Sequence, residues 1–277
     1  MRGARGLRAS VLSWSVLMPL LLLNLFPFAV MLATALTPAE DLMRAGSSWI
    51  PRRPTLENFP AMWRASGVGP ALTRSLIVAS VSSIVATGVA APAAYALSRF
   101  PFRLLRPYEV FLLITQMVPP IMLLGGLFRL MVQLGAVDSL AALAVVYAAF
   151  QVGFSVWMLR NAFDAIPFEL EEAARLDGAS RLKTLWFIVL PLSVPALCVV
   201  VLFNFIASWN DFAIALALLR SPGSLTLPVQ VQALVAGRYE VEWEQVMAAV
   251  LVATGPVAIL FSVLQRHLGA GFQSSPH

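Results

Sequence analysis

Lysine is all but missing from this chain: of its 19 basic residues only Lys183 is not arginine. A P-loop needs a glycine immediately before its lysine. Thr184 follows Lys183 as the motif asks, but Leu182 stands where that glycine is required. The chain carries no ATP site of that kind, so any ATP-driven work would fall to a separate subunit. Cysteine is equally scarce. Cys198 is alone and excludes an internal disulfide, and with only His267 and His277 there is no Cys/His cluster of metal-ligand spacing. Charge is low as well, at 12% of residues against 59% hydrophobic and a mean hydropathy of +0.82. A soluble domain carries roughly 25% charged residues. A membrane-embedded chain is expected. The pI near 10.1 does not point to nucleic acid, because the arginines are scattered among loops rather than gathered on one face.

What the sequence has instead is long apolar runs. A span of the bilayer takes about 20 residues, and 277 residues allow six spans with short connections. They are read at about 11–36, 76–97, 110–128, 140–159, 192–219 and 246–264, forming a single all-α transmembrane domain over residues 1–277. The first follows Arg2, Arg5 and Arg8, and Ala33-Thr34-Ala35 resembles a signal-peptidase site. The 7–15 residue apolar core of a signal peptide is nevertheless far exceeded, which favours an uncleaved span. The second carries two rows of small residues, Ala79, Ser83, Thr87, Ala91 and Ser82, Ala86, Ala90, Ala94, suited to close helix approach. The third is interrupted by Gln116, Pro119-Pro120 and Gly125-Gly126, a pattern tolerated where a helix lines a cavity or packs on protein. Arg99, Arg103 and Arg106 crowd the loop after span two, whereas the turn Gln133–Ser139 has no basic residue. By the positive-inside rule both termini are cytoplasmic.

Between spans four and five lies the longest charged interruption on the cytoplasmic side, Asp164 to Pro191. Pro167 suits a first helical turn, residues 168–177 favour helix, and Glu171 precedes Arg175 by four, a supportive pairing. Leu170, Ala173, Ala174 and Asp177 share one face, a narrow ridge of small side chains. Gly178 can take positive φ and end the helix. Ser180 can cap a second short helix, 181–190, which Pro191 closes. Neither helix can span a bilayer. Together they form a docking knob.

Glu172-Ala173-Ala174, Gly178 four residues on, and then Ile188-Val189-Leu190-Pro191 resemble the EAA loop of ABC importer permeases. The wider wording, IPFELEEAARLDGAS, is similar to the maltose-type carbohydrate subfamily of binding-protein-dependent inner-membrane components, and to its shorter MalG-like partner. Weaker likenesses run from Val11 to Gly271: Asn58-Phe59 before span two, Tyr95-Ala-Leu-Ser-Arg99 at its end, the LGAVDS turn, Trp209-Asn210-Asp211, and the tail Gln265-Arg266 to Gly271. The ending QSSPH replaces the family's usual Lys-Gly close.

The resemblance implies a MetI-like permease fold with a cytoplasmic coupling hairpin, in a bacterial or archaeal inner membrane. It implies a homologous second permease, two ATPase subunits and an extracytoplasmic solute-binding protein as partners. No cofactor is expected on this chain, ATP and magnesium belonging to the ATPase, and the chain itself is expected not to be an enzyme. Glu171, Glu172, Ala173, Ala174, Arg175, Asp177, Gly178, Ile188, Leu190 and Pro191 are the residues expected to couple to the ATPase. The substrate path is expected along Phe150, Gln151, Phe154, Asn204, Ser208, Trp209, Asn210 and Asp211. An aspartate near bilayer depth costs about 2.5–3.5 kcal/mol unless it faces protein or water, and Asp211 lies about 28 Å above Leu192 along an ideal helix. Two readings fit this cluster: sugar hydroxyls bind there, or the polar groups bond across helices to join two permease subunits. The outer segment 220–245, with Glu240, Glu242 and Glu244, is either a loop reaching toward the binding protein or a solvated acidic loop. The expected solute is a sugar or sugar-like molecule. The alternatives are a permease for glycerol phosphate, amino acid or peptide, and a self-sufficient secondary transporter, for which no inverted repeat is apparent.

Overall fold

The protein was analysed as a computed structural model, which describes residues 2–43, 50–100, 105–236 and 241–272; Trp49, Arg103, Glu240 and the 273–277 ending lie outside them. The described residues form helices without strands. In order these are α1 (Arg2–Ala35), α2 (Ala39–Leu42), α3 (Asn58–Ala65), α4 (Val68–Arg99), α5 (Leu105–Met117), α6 (Pro120–Gln133) and α7 (Leu140–Asp164). They continue as α8 (Phe168–Leu176), α9 (Arg181–Thr184), a π-helical turn (Leu185–Val189), α10 (Leu190–Leu192), α11 (Val194–Asn210), α12 (Ala213–Leu218), α13 (Leu227–Val235) and α14 (Trp243–Phe272). Four stretches are each long and apolar enough to cross a membrane: Leu17–Ala35, Val68–Arg99, Leu140–Asp164 and Trp243–Gln265; the number is six when each of two bent pairs counts as one span.

The first of these bends has a covalent cause. The third expected span breaks between α5 and α6, where Pro119 takes extended backbone (ψ 127°) and Pro120 opens the next helix. Two successive prolines remove two N–H donors and push the preceding residue out of the α region. The second expected coupling helix does not close at Pro191. It widens into the π turn Leu185–Val189, runs through Pro191 to Leu192, and ends at Ser193, whose N–H donates to Val189 and Leu190 carbonyls. The wider register relieves the clash of a proline ring with the carbonyl one turn earlier. The chain then turns by 80° into α11. The span read at 192–219 is likewise divided, because α11 ends at Asn210 and α12 starts at Ala213.

The chain forms two compact units, Met1–Gly69 with Gln230–Gly255, and Pro70–Val229 with Pro256–His277. In the first, Asn58 is buried and its Nδ2 donates to Ala35 O (2.8 Å) and Thr37 O (2.9 Å). It thereby satisfies carbonyls that the end of α1 leaves without helical partners. In the second, α4, α7 and α11 pack closely. All eight small residues of the two rows on α4 are buried, Ser82, Ala86, Ala90 and Ala94 completely. Leu159, Phe163 and Val200 fill the space that those small side chains leave.

Candidate functional site: a pinned hairpin and a polar aromatic cavity

The hairpin forms as its local chemistry requires. Pro167 stands just ahead of α8 as its N-cap rather than within its first turn. Gly178 has φ +86°, a conformation that costs a side-chain-bearing residue and costs glycine little. Ser180 Oγ accepts from Lys183 N–H at 3.4 Å, capping α9.

The two neighbouring glutamates have opposite fates. Glu172 is exposed, with Ala173 and Leu176 beside it, the last at 89%. Glu171 is 2% exposed. Its carboxylate does not pair with Arg175; it accepts from Arg99 Nε at 2.5 Å and from Tyr95 OH at 2.8 Å. Arg175 instead donates to the Glu171 backbone carbonyl and lies 4.9 Å from the Phe168 ring centroid. Arg99 does more than pair with a charge. Its Nη2 donates to Phe163 O (2.9 Å) and Ile166 O (3.0 Å), carbonyls at the end of α7. Ser98 bonds Asp164, and Arg181 stacks on Phe100 at 4.3 Å. The end of α4 is therefore the wall on which the hairpin is mounted. Tyr95, Ser98 and Arg99 were legible only as a likeness and a topology marker; nothing in their spacing reveals a bond to residues 163–171. Of the other expected coupling residues, Asp177 ends α8, Ala174 is half-buried, and Ile188, Leu190 and Pro191 belong to the π turn and α10.

At mid-span, α7 presents Tyr147, Phe150, Gln151 and Phe154 along one stripe, as positions i, i+3, i+4 and i+7 must. α11 answers with Phe203, Asn204 and Ala207, and Asp211 follows its end. With Gln116, Pro120 and Ile214 these residues line a cavity of about 290 Å³. Gln116 reaches it because position 153 is glycine, where a Cβ would stand 2.6 Å from Gln116 Nε2.

Five of the eight expected path residues line this cavity: Phe150, Gln151, Phe154, Asn204 and Asp211. Ser208 and Trp209 are buried beside it, and Asn210 is exposed. Trp209 stacks on Phe205 at 5.6 Å. Asn204 and Ser208 do bond across helices, but to helices of this same chain. Asn204 Nδ2 donates to Ser155 Oγ (2.8 Å) and Thr87 Oγ1 (3.3 Å), and the Ser208 and Ser82 hydroxyls lie 2.7 Å apart. Asp211 Oδ1 accepts from Tyr147 OH (2.7 Å) and from the N–H groups of Ile214 and Ala215 (both 3.1 Å). It thus caps α12 and occupies the cavity wall at once. Tyr147 and Phe203 were not among the expected path residues; the i−4 relation of Tyr147 to Gln151 was the available signal.

The connection that follows α12 is not a free acidic loop at its start. Asp138, in left-handed backbone (φ 62°), accepts from Arg220 N–H (2.5 Å), Ser221 N–H (2.9 Å), and the Ser221 and Ser224 hydroxyls (both 2.8 Å). These donors, the Ser221 N–H foremost, hold its carboxyl well below the usual carboxylate range. Arg74 Nε donates to Leu225 O (2.8 Å), and Ser75 Oγ accepts from Leu227 N–H (2.7 Å). Further along, Glu244 is buried in the first turn of α14.

Residues 71–273 match the family described as binding-protein-dependent transport system inner membrane component. The chain is 38% identical over 251 residues to the trehalose/maltose transport system permease protein MalG of Thermococcus litoralis, covering 89% of each chain. It is 31% identical over 252 residues to the sulfoquinovosyl glycerol transport system permease protein SmoH of Agrobacterium fabrum, covering 91% of this chain and 88% of that one. Among solved structures, a bacterial ABC transporter involved in import of the acidic polysaccharide alginate superposes with a TM-score of 0.81 at 22% identity, over 96% of this chain and 98% of that one. The inward-facing MetNI methionine ABC transporter superposes at 0.60 and 22% identity over 76% of this chain, so the fold is that of MetI-like permeases. With the hairpin, the apolar helices and these likenesses in agreement, the chain belongs to the binding-protein-dependent transport system inner membrane components, the multi-pass permease subunits of ABC importers.

Proposed function

We propose that this permease moves a sugar or sugar-like solute and that α8 is the lever through which separate ATPase subunits drive it. The observation that carries the reading is the division of labour between Glu171 and Glu172. One carboxylate is buried against Arg99 and Tyr95, fixing the hairpin to α4 and α7; the other is exposed beside Ala173 and Leu176 on a short rigid helix. A push on that exposed face is passed to the ends of two spanning helices rather than absorbed by a loop. ATP and magnesium sit on the ATPases, and this chain makes or breaks no bond in the solute.

A second homologous permease completes the pathway, and an extracytoplasmic binding protein delivers the solute. The sugar assignment is supported by relatives named for trehalose, maltose and sulfoquinovosyl glycerol, and by the aromatic and hydroxyl-accepting character of the cavity. The arginines near the start of α1 and at 99–106, against none in 133–139, favour cytoplasmic termini.

In proteoliposomes holding the full complex, Glu172→Lys and Gly178→Val should each lower solute uptake and binding-protein stimulation of ATP hydrolysis at least tenfold, with the complex still assembled. Valine at φ +86° is strained, and lysine reverses the charge on the exposed face. Normal coupling in both variants would remove the hairpin from this role. For the solute, a melting shift of the cognate binding protein with sugars, and none with amino acids or peptides, is the expected outcome.

A further inference from the structure

A different cleft opens between α4 and the helical elbow that follows Ser180. Gly88, Ala91 and Pro92 of α4, Leu185 and Trp186 of the π turn, and Leu197 of α11 line it, around a volume of about 460 Å³. From Ile84 to Pro92, both at its wall, α4 rises about 12 Å, so the cleft is long. At Gly88 its floor is open: a Cβ there would meet nothing within 4 Å. No charged residue lines it, and Thr87 brings its only hydroxyl. That hydroxyl is already used, donating to Ser83 O (2.8 Å) and accepting from Asn204 Nδ2 (3.3 Å). A sugar would find no free side-chain acceptor here. Hydrocarbon fits.

The mouth of the cleft says which hydrocarbon. The segment Arg181–Leu192 is turned 80° from α11, so it lies across the direction in which α11 runs. Leu182, Trp186 and Phe187 on it are exposed. A helix lying along a bilayer face puts such side chains toward the acyl region and its basic ones toward water, with tryptophan at headgroup level. Leu182 lines the cleft, and Arg181 and Lys183 stand about 100° to either side of it on the helix. Arg181 is stacked on Phe100 at 4.3 Å. Lys183, the chain's single lysine, is exposed and has no ion-pair partner among the described residues. Its flexible stem can lie on apolar surface while the ammonium reaches a phosphate. An apolar cleft with an unpaired cation at its mouth complements a molecule with a tail and a negative head. A spanning helix of a protein partner would match the apolar wall and leave Lys183 unanswered.

We infer that this cleft is a binding site for one acyl tail of an anionic phospholipid, whose headgroup rests on Lys183. Basic sites between spanning helices hold anionic headgroups by this charge attraction. The site is independent of which solute the chain carries.

The test is photolabelling of the full assembled complex in nanodiscs of phosphatidylcholine, doped with phosphatidylglycerol carrying a diazirine on one tail. Phosphatidylcholine with the same diazirine tail serves as the comparison, and adducts are mapped by peptide mass spectrometry. Peptides containing 84–92 and 184–197 should be labelled about fivefold more by the phosphatidylglycerol probe, the weight of one basic side chain at a membrane surface. Lys183→Gln should bring the two probes level, and Lys183→Arg should restore the preference. Gly88→Leu, which fills open space, should lower labelling of these peptides by both probes. Equal labelling by the two probes in the wild type means bulk lipid contact and overturns the site. Unlabelled cleft peptides mean that a protein helix covers the cleft, and overturn it too. So does a preference that survives Lys183→Gln, or labelling that Gly88→Leu leaves unchanged.

Discussion

The two ends of α7 are tied down by carboxylates in contrasting ways. In the orientation proposed above, Glu171 lies beyond the inner end of α7, is buried and meets a guanidinium; before the outer end, Asp138 gathers two backbone N–H groups and two hydroxyls in an open turn. The difference follows from surroundings. A buried carboxylate needs an opposite charge and further hydrogen bonds to offset desolvation. An aspartate in a hydrated turn needs only donors, and left-handed backbone lets its short side chain collect them. The inner tie is therefore stiff and intolerant of losing either partner, as a lever mount must be. The outer tie organises a loop and can give without unfolding the helix behind it.

Breaking the inner tie should show the largest effect. Arg99→Ala strands the Glu171 carboxylate and uncaps the end of α7, and removal of one partner from a buried pair costs about 3–5 kcal/mol. A large fall in the melting temperature of the purified complex is expected, with trypsin cleaving near Arg175. A variant as stable as wild type would show that the pair does not hold the hairpin. Next comes the neutral cluster between the ties. Asn204→Ala removes bonds to Ser155 and Thr87, and interhelical hydrogen bonds in membranes are worth about 0.6–1.7 kcal/mol. The melting shift should be clearly smaller than for Arg99→Ala; an equal shift would erase the contrast between charged anchor and neutral glue.

The outer tie should respond least, and through pH. Because the folded Asp138 carboxyl is held below its unfolded value of about 3.9, its contribution is fully present above that pH and is lost as pH falls further, toward the folded value. Protease access to 220–224 should rise below about pH 4 in the wild type. It should be pH-independent in Asp138→Asn, which keeps a side chain tolerant of left-handed backbone. A wild-type loop equally protected through that range would show the clamp to be without weight.

Much of this was written in the residues. The Glu-Ala-Ala to Gly178 to Pro191 spacing located the hairpin, Gly178 and Ser180 announced their own backbone roles, and the prolines marked breaks. Some local patterns read differently once the chain is folded. Glu171 and Arg175 have the spacing of a helix pair, yet Arg99, 72 positions away, takes the carboxylate. Pro191 reads as a helix end, yet a π turn absorbs it. Asp211 reads as pathway or glue, and it is a helix cap that also lines the cavity.

By itself the sequence determined that the chain is helical and membrane-embedded, and it located a coupling elbow between two spans, because hydropathy, backbone freedom and motif spacing act over a few neighbouring residues. Only the tertiary structure decided which of two adjacent glutamates is buried and which is offered outward. Successive residues on a helix point about 100° apart, and which direction meets an arginine depends on how α4 packs beside α7 and α8.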